Sequence, residues 1–351
     1  MINLGSEAVI AAGLAAGLDA VGVASAEPFE STRATLLERR DEGLHGGMAF
    51  TYRNPDRSTD PGRALSGARS LVVGALGYQR PPVPAPDRPV GRVAAYARSD
   101  HYAKLRDALG QVAEMLRSAG HRASVVADDN ALVDREAAQR AGLGWYGKNS
   151  NILLPGQGSW FVLGSVITTA ELDPSTPVPD QCGPCRRCLD GCPTGAIVAP
   201  GVVDARRCLA WLVQDGGDFP LEFREALGDR IYGCDDCQEV CPPNRRVPSA
   251  EDTDGDAKAE LEEDTAWVDL VELLDLDDEE LMDRHGRWYI PRREPRYVRR
   301  NALVALGNTG RGADPDVAEM VERYLSDPDP MLVRHASWAA HRLGVSVAEP
   351  V

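Results

Sequence analysis

The sequence predicts an α+β protein in three parts: a layered α/β region, a cysteine-rich region and a helical tail. Helical and strand patterns alternate over residues 1–172, eight cysteines lie between positions 182 and 241, and two similar helical segments close the chain. At roughly 100–200 residues per domain, 351 residues suggest two or three domains. A composition of 43% hydrophobic and 26% charged residues is ordinary for a soluble protein and excludes a chain that is disordered throughout.

The N-terminal region alternates between helix and strand. Helices are predicted at 7–18, 101–119 and 133–141, and strands at 20–24, 70–75 and 160–168. The longest helix places Leu105, Leu109, Val112 and Leu116 on one face and ends at Gly120. The alternation predicts an α/β layer domain over residues 1–172, large enough to hold a bulky cofactor.

The eight cysteines form two runs that each end in Cys-Pro. The first run has the spacing C-x2-C-x2-C-x3-C, and the second lacks one member, which Cys208 can supply. Runs of this kind bind 4Fe–4S clusters, and the last cysteine of each run serves the other cluster. Zinc is the alternative, although it prefers paired C-x2-C knuckles. The simplest partition gives two ligand sets: Cys182, Cys185, Cys188 and Cys241 for one cluster, and Cys192, Cys208, Cys234 and Cys237 for the other. We therefore predict a dicluster ferredoxin-like domain over residues 173–250.

The formal net charge of -16 comes almost entirely from one segment. From Glu251 to Glu280 there are 15 acidic residues and one lysine, so the rest of the chain carries a net charge of only -2. The total charge argues against a general polyanion binder. Its distribution indicates a solvated acidic linker and a short helix over residues 251–283.

An arginine-rich stripe follows the acidic segment. Between Arg284 and Arg300 there are seven arginines and one acidic residue, with Trp288, Tyr289 and Tyr297 interleaved. Such a stripe can hold phosphates by charge and stack on bases. Pairing with the acidic segment is the alternative, and composition does not separate the two.

The tail carries an internal repeat. One segment begins with Val298-Arg299-Arg300 and ends with Leu306-Gly307. A similar segment lies about 35 residues later and ends with Leu343-Gly344. With Asp-Pro turns between them, these segments predict HEAT-like helical repeats over residues 284–351.

Two motifs can be explained either by a structural role or by a functional one. Residues 142–149 match a dinucleotide loop and most of a phosphate loop, but they follow a helix rather than a strand, and Asn149 stands where a hydroxyl is needed. A tight backbone turn against another flat ligand is the better interpretation. Asp134 begins a predicted helix, where an acid can simply offset the helix dipole.

The chain resembles the epoxyqueuosine reductase family over nearly its whole length, and most specifically from 134 to 243. The resemblance rests on the eight cysteines and on these residues: Asp134-Arg135, Ala141-Gly142-Leu143-Gly144-Trp145, Gly147-Lys148-Asn149, Gly158-Ser159, Leu163-Gly164, Cys192-Pro193-Thr194-Gly195-Ala196 and Tyr232-Gly233-Cys234-Asp235-Asp236-Cys237-Gln238.

This resemblance implies a cobalamin-dependent iron–sulfur enzyme that reduces epoxyqueuosine to queuosine at the wobble position of tRNA. It implies that Asp134 is the proton donor and that Arg57, Asp134, Gly158 and Ser159 contact the cobalamin. The chain lacks a D-x-H-x-x-G motif, which fits a base-off cofactor without a protein imidazole. One departure is Asp100-His101-Tyr102, where the family often has Asp-Tyr-His.

The expected partners are tRNA and an external electron donor of flavodoxin or ferredoxin type, and the expected state is a monomer. The tRNA contacts are predicted at Arg292, Arg293, Arg296, Arg299 and Arg300. Reduced thiols and the lack of an apolar run of ~20 residues predict a cytoplasmic protein without a membrane segment. The alternatives are a reductive dehalogenase-like reductase of another substrate and a ferredoxin-type electron carrier.

Overall fold

The structure is a computed structural model that describes residues 5–245 and 266–345. In the described ranges the strands are β1 (Ala20–Ser25), β2 (Ser70–Gly77), β3 (Val90–Val93), β4 (Ala123–Ala127), β5 (Trp145–Tyr146), β6 (Ile152–Leu153), β7 (Phe161–Thr168), β8 (Ile197–Ala199), β9 (Val202–Val203), β10 (Arg230–Tyr232) and β11 (Trp267–Asp269). The predicted acidic loop at 251–263 lies outside the described residues.

The α-helices of the same ranges include the three predicted in the N-terminal region and also one at Glu30–Asp41 that was not predicted. They are α1 (Ser6–Ala15), α2 (Glu30–Asp41), α3 (Pro55–Ser58), α4 (Pro61–Ala64), α5 (His101–Ser118), α6 (Asp134–Arg140), α7 (Arg187–Asp190), α8 (Leu209–Leu212), α9 (Arg224–Leu227), α10 (Asp236–Glu239), α11 (Leu270–Asp275), α12 (Asp278–His285), α13 (Arg296–Thr309), α14 (Pro315–Leu325) and α15 (Pro330–Leu343). Among them no helix is both long enough and apolar enough to cross a membrane.

The chain divides into two compact units, each built from separate segments. The first contains Met1–Arg80, Asp100–Arg206 and Asp236–Pro248, and the second contains Pro81–Ser99, Arg207–Asp235 and Ser249–Val351. The predicted domain boundary at 172 falls inside the first unit.

An antiparallel sheet of order β1-β2-β7-β4 forms the centre of the first unit. Gly74 and Gly164 lie directly opposite each other on neighbouring strands. A Cβ atom at Gly164 would come within 2.8 Å of Leu109, so the glycine pair lets α5 lie close against this face. Buried Leu105, Leu109, Val112 and Leu116 make up the predicted apolar face of that helix.

The opposite face of the sheet packs against α6. Leu71 and Val73 of β2 share a buried apolar cluster with Ala137 and Ala138 of α6. This packing holds α6, the helix that begins with Asp134, against the sheet.

The second unit combines a small sheet with the helical tail. Strand β3 pairs in parallel with β10 and antiparallel with β11. Leu303 and Leu306 of α13 and Ala336 of α15 are fully buried in its largest apolar cluster. A Cβ atom at Gly307 would lie 2.9 Å from Ala339, so the first Leu-Gly of the repeat allows α13 and α15 to approach closely.

Polar side chains of the tail bind the backbone of residues 212–231. Arg300 donates from Nη1 to the carbonyl oxygens of Asp215 and Gly217 at 2.8 and 2.5 Å, and from Nη2 to that of Leu212 at 3.0 Å. Asn301 donates to the carbonyl oxygen of Val213 at 2.8 Å. These bonds satisfy backbone groups that burial would otherwise leave without partners.

His335 of α15 is fully buried and neutral. Its Nε2 accepts from the backbone N–H of Phe219 at 3.1 Å, and its Nδ1 lies 2.7 Å from the carbonyl oxygen of Met331. Burial lowers the pKa of His335 to about 4. The hydrogen bond to Met331 opposes this shift, the charges of Arg224 and Arg300 add to it, and the charge of Asp218 opposes it.

We expect this histidine to make the fold sensitive to acid. The unfolded chain takes up a proton near the ordinary pKa of ~6.5, whereas the folded chain does so only near the lowered value, so stability falls as pH drops between the two. The loss should reach about 3 kcal/mol for this group. Urea unfolding at pH 7 and at pH 4.5 measures it.

The matched pair for this experiment lies on one helix. His335→Gln should flatten the pH dependence, while His341→Gln changes an exposed histidine of α15 and should leave it as in the wild type. Equal pH dependence in His335→Gln and the unaltered chain would contradict the prediction.

Candidate functional site

Four cysteines of the first unit surround one pocket. The pocket is lined by Cys182, Cys185, Cys188 and Cys241, together with Lys148, Asn149, Leu153, Arg187 and Pro242. Cys241 lies more than 50 positions beyond the other three in the chain, yet the fold brings it to them. These four, the first cysteine set, are the ligands that spacing assigns to one cluster.

The chemistry of this donor set suits a multivalent metal group. The four cysteines that line the pocket take part in no disulfide within the described residues. Burial raises the pKa of the Cys241 thiol to about 11, and the charges of Cys188, Cys182 and Cys185 add to the shift. Thiols that resist ionisation together become thiolates when a metal supplies the compensating charge.

The other four cysteines, the second cysteine set, lie at the ends of short elements. Cys192 accepts from the backbone N–H of Ala196 at 3.2 Å, and Cys237 lies within α10. Cys208 is the residue that immediately precedes α8, and Cys234 follows β10 and packs against the apolar cluster that includes Leu209 and Phe219.

The loop that resembles a phosphate loop is bound to the cysteine segments. Lys148 donates from Nζ to the carbonyl oxygens of Gly183 and Cys185 at 2.6 and 2.9 Å. Buried Asn149 donates to the carbonyl oxygen of Cys237 at 3.3 Å. The predicted turn is therefore present, but it presses against its own chain, since a Cβ atom at Gly144 would lie 2.1 Å from the carbonyl oxygen of Leu153.

Asp134 occupies the first helical position of α6, where its carboxyl group is enclosed. Its Oδ1 is buried without a hydrogen-bond partner in the part of the chain that the structure describes. Burial raises the pKa of Asp134 well above its ordinary value, and the charge of Asp128 adds to this more strongly than that of Asp129, while Arg135 opposes it. A carboxyl that only offset the helix dipole would be stabilised as the anion, so the dipole interpretation fails here.

Further ionisable groups lie close to Asp134. Burial, followed by the charges of Asp128 and Asp134, raises the pKa of Tyr102, so its hydroxyl keeps its proton at neutral pH. Arg57, which the resemblance assigns to the cofactor, is exposed and approaches Asp129 at 4.0 Å. The neighbouring His101 is buried and contacts the Tyr78 ring, with centroids 5.6 Å apart. The sequence pointed to this region only through its departure from the family pattern.

Gly158 and Ser159 are engaged by a residue that sequence reasoning missed. Asn244 accepts from the backbone N–H of Ser159 at 2.6 Å and donates to its hydroxyl at 2.9 Å. The N–H and carbonyl groups of Gly158 both bond to Leu154. The backbone groups of Gly158 are thus bonded within the chain, whereas the Ser159 hydroxyl, which accepts from Asn244, keeps its own O–H donor. Asn244 follows Cys241-Pro242 by two residues, and no sequence motif singled it out.

The arginine stripe divides into buried and exposed members. Arg300 is 1% exposed and bound to carbonyl oxygens, so the prediction that it contacts tRNA is wrong for this residue. The Arg299 side chain is largely buried and pairs with Asp278, and Arg296 pairs with Asp329 at 2.7 Å. The side chain of Arg292 is 74% exposed, and Arg293 is exposed beside it.

Comparison with known proteins is consistent with these groups. Residues 181–244 match the family model of a 4Fe-4S double cluster binding domain. The chain is 34% identical over 346 residues to an epoxyqueuosine reductase of Bacillus anthracis, covering 96% of this chain and 88% of the relative. It is 35% identical over 344 residues to one of Vibrio cholerae, covering 95% and 90%.

A solved structure extends the likeness to three dimensions. It is a crystal structure of epoxyqueuosine reductase with a tRNA-Tyr epoxyqueuosine-modified stem loop, 31% identical, with a TM-score of 0.85 over 96% of this chain and 90% of that one. Identity above 30% along almost the full length of both chains leaves one assignment: the chain belongs to the epoxyqueuosine reductase family of oxidoreductases and contains its double 4Fe–4S cluster domain.

Proposed function

We propose that this protein reduces the epoxide of epoxyqueuosine in tRNA to the alkene of queuosine. The conversion takes up two electrons and two protons and releases water. The observation that carries the proposal is the enclosed Oδ1 of Asp134, which has no hydrogen-bond partner among the described residues and belongs to a carboxyl group whose pKa burial raises, in a chain that also carries two sets of cluster ligands. An acid of this kind suits protonation of the oxygen that leaves the epoxide.

The cofactors of the proposal are two 4Fe–4S clusters and base-off cobalamin. The first cysteine set would hold one cluster, and the second set, Cys192, Cys208, Cys234 and Cys237, would hold the other. Asp134 and Arg57 would face the cobalamin, to which the orphaned Oδ1 of Asp134 offers a polar contact. When bound, the clusters supply single electrons and the cobalamin supplies the redox centre at the substrate.

The residues of the chain then have separate tasks. Asp134 delivers a proton, because its raised pKa keeps the proton available at neutral pH. Tyr102 stays protonated beside it and can donate a hydrogen bond without competing as a base. Asp128, whose φ of 55° is uncommon for a residue other than glycine, adds the negative charge that favours the protonated acid.

The helical tail is the proposed tRNA-binding region. Helices α13, α14 and α15 support a HEAT-like arrangement over residues 284–351. The other proposed domains are the cobalamin domain at 1–172, the dicluster domain at 173–250 and the acidic linker with its helix at 251–283. Tyr289, with 59% of its surface exposed, precedes exposed Arg292 and Arg293 by three and four residues in the chain. An exposed aromatic ring beside two cations can stack on a base while the cations neutralise phosphates.

We expect the double variant Arg292→Glu/Arg293→Glu to bind tRNA more weakly, and we expect its affinity for tRNA to depend less steeply on salt concentration. The slope of log Kd against log salt should fall by about one for each phosphate contact that is lost. Fluorescence anisotropy with a labelled anticodon stem loop, measured at several salt concentrations, checks this.

The control for that variant removes the same charge elsewhere in the second unit. Arg88 and Arg311, with side chains 61% and 79% exposed, are paired with Asp269 and Asp87. Arg88→Glu/Arg311→Glu should bind like the wild type, and equal weakening in both double variants would remove the local role of Arg292 and Arg293.

The decisive experiment for the function is turnover by the purified holoprotein. Protein prepared without oxygen, with cobalamin and a flavodoxin or ferredoxin-type donor, should convert epoxyqueuosine-containing tRNA to queuosine-containing tRNA, as read by mass analysis of nucleosides. Clusters without corrin absorption and without turnover would favour an electron carrier instead. Because tRNA is a cytoplasmic substrate, the proposal implies a cytoplasmic protein, and we propose that it acts as a monomer.

A further inference from the structure

Lys148 extends from the Gly-Lys-Asn turn to the loop that carries Cys182 and Cys185. Its ammonium group donates to the carbonyl oxygens of Gly183 and Cys185, and the same side chain lines the pocket of Cys182, Cys185, Cys188 and Cys241. The sequence motif suggested phosphate binding, but the structure shows its lysine bound to this cysteine loop.

The backbone around Lys148 is rigidly held. The carbonyl oxygen of Lys148 accepts from the N–H of Gly201 at 2.9 Å, and the N–H of Gly147 donates to the carbonyl oxygen of Asn151 at 2.8 Å. A Cβ atom at Gly147 would lie 2.4 Å from Leu153, so the turn is packed directly on β6. A charge presented by such a turn keeps its place when the net charge of a neighbouring group changes.

The position of the ammonium group has an electrostatic consequence. Reduction of a 4Fe–4S cluster adds one negative charge to a group that is already anionic, and a nearby fixed cation stabilises the added charge. Lys148 is half-buried, so water screens it less than exposed Arg187, the other cation that lines the pocket.

We propose that Lys148 is a positioning residue for the cluster of the first cysteine set, which holds its loop in place and raises its reduction potential. The inference rests on the proposed function for the presence of that cluster, and it goes further by assigning one side chain to its potential. Lys148 touches neither tRNA nor the reacting atoms in this role.

The test compares Lys148→Met with Lys148→Arg in anaerobically prepared full-length protein. A dithionite titration followed by electron paramagnetic resonance reports each cluster separately. In Lys148→Met, the reduced-to-oxidised ratio of one cluster at a fixed potential should fall about tenfold, which is about 59 mV for one electron. Lys148→Arg keeps the charge and should remain near the wild type. Lys104→Met, at an exposed lysine of α5, controls for the lost charge.

Each outcome has a defined meaning. Loss of the first cluster in Lys148→Met with its retention in Lys148→Arg also supports the proposal, because the loop then depends on this cation. Two clusters with unchanged potentials in Lys148→Met, or the same shift in Lys104→Met, would overturn it, as would failure of Lys148→Arg to fold. A wild-type protein without about eight iron atoms per chain would instead refute the cluster assignment of the proposed function.

Discussion

Asp134→Asn is expected to lose about 100- to 10,000-fold in the rate of epoxide reduction, the usual contribution of a positioned general acid. The amide has nearly the same size and fills the same enclosed space, but it has no acidic proton to give. Single-turnover conversion of epoxyqueuosine-containing tRNA measures the loss. The visible spectrum should show that the variant keeps its clusters and its corrin absorption.

The pH dependence of the same reaction gives a second signature. Burial raises the pKa of Asp134, so the acid form persists at neutral pH and is lost only as the pH rises through the raised value. The wild-type rate should be flat below that pKa and fall about tenfold per pH unit above it. The asparagine variant should lack this alkaline limb.

The control is Asp107→Asn, which changes an exposed carboxylate of α5. Its rate and pH profile should match those of the wild type. Full activity of Asp134→Asn with both cofactors retained would exclude Asp134 as the proton donor and leave Tyr102 as the nearest protonated group to examine.

Cys241→Ala is expected to remove one cluster, namely the one that Cys182 also serves. The iron content should fall from about eight to about four atoms per chain, because the first cysteine set loses one of four ligands. The physical reason is the shared pocket, in which Cys241 lies with Cys182, Cys185 and Cys188 although it belongs to the second run of the sequence. Iron analysis and electron paramagnetic resonance of the reduced protein measure the result.

Two partner variants make the partition testable. Cys182→Ala should leave the same residual spectrum as Cys241→Ala, whereas Cys208→Ala should leave the complementary one. If Cys241→Ala instead matched Cys208→Ala, the two ligand sets would have to be redrawn.

Local patterns were sufficient to predict several elements and one ligand set. Helix α5 follows from four apolar residues at helical spacing with a glycine after the last turn, since burial of one face requires that periodicity. The grouping of Cys241 with Cys182, Cys185 and Cys188 follows from the Cys-Pro runs, because short spacing limits which thiols can converge on one cluster. The pocket that these four line agrees with that grouping.

The arginine stripe shows what local patterns cannot supply. Arg292 and Arg300 look alike in the sequence, yet the side chain of one is 74% exposed and the other is 1% exposed. Arg300 has left the solvent because its Nη1 and Nη2 groups donate to carbonyl oxygens of residues 212–217, which are distant in sequence, while its Nε donates to the side chain of Asn301. Such a difference depends on which backbone groups lack partners after folding.

The residues of the proposed site follow the same division. Spacing in the sequence already identified the cysteines as groups able to bind iron, and the family resemblance assigned proton transfer to Asp134. The sequence did not reveal that Asp134 is enclosed and has a raised pKa, that Lys148 binds a cysteine loop, or that Asn244 engages Ser159. Chemical capacity belongs to a side chain, whereas burial, charge neighbours and hydrogen-bond partners come from segments that meet only when the chain has folded.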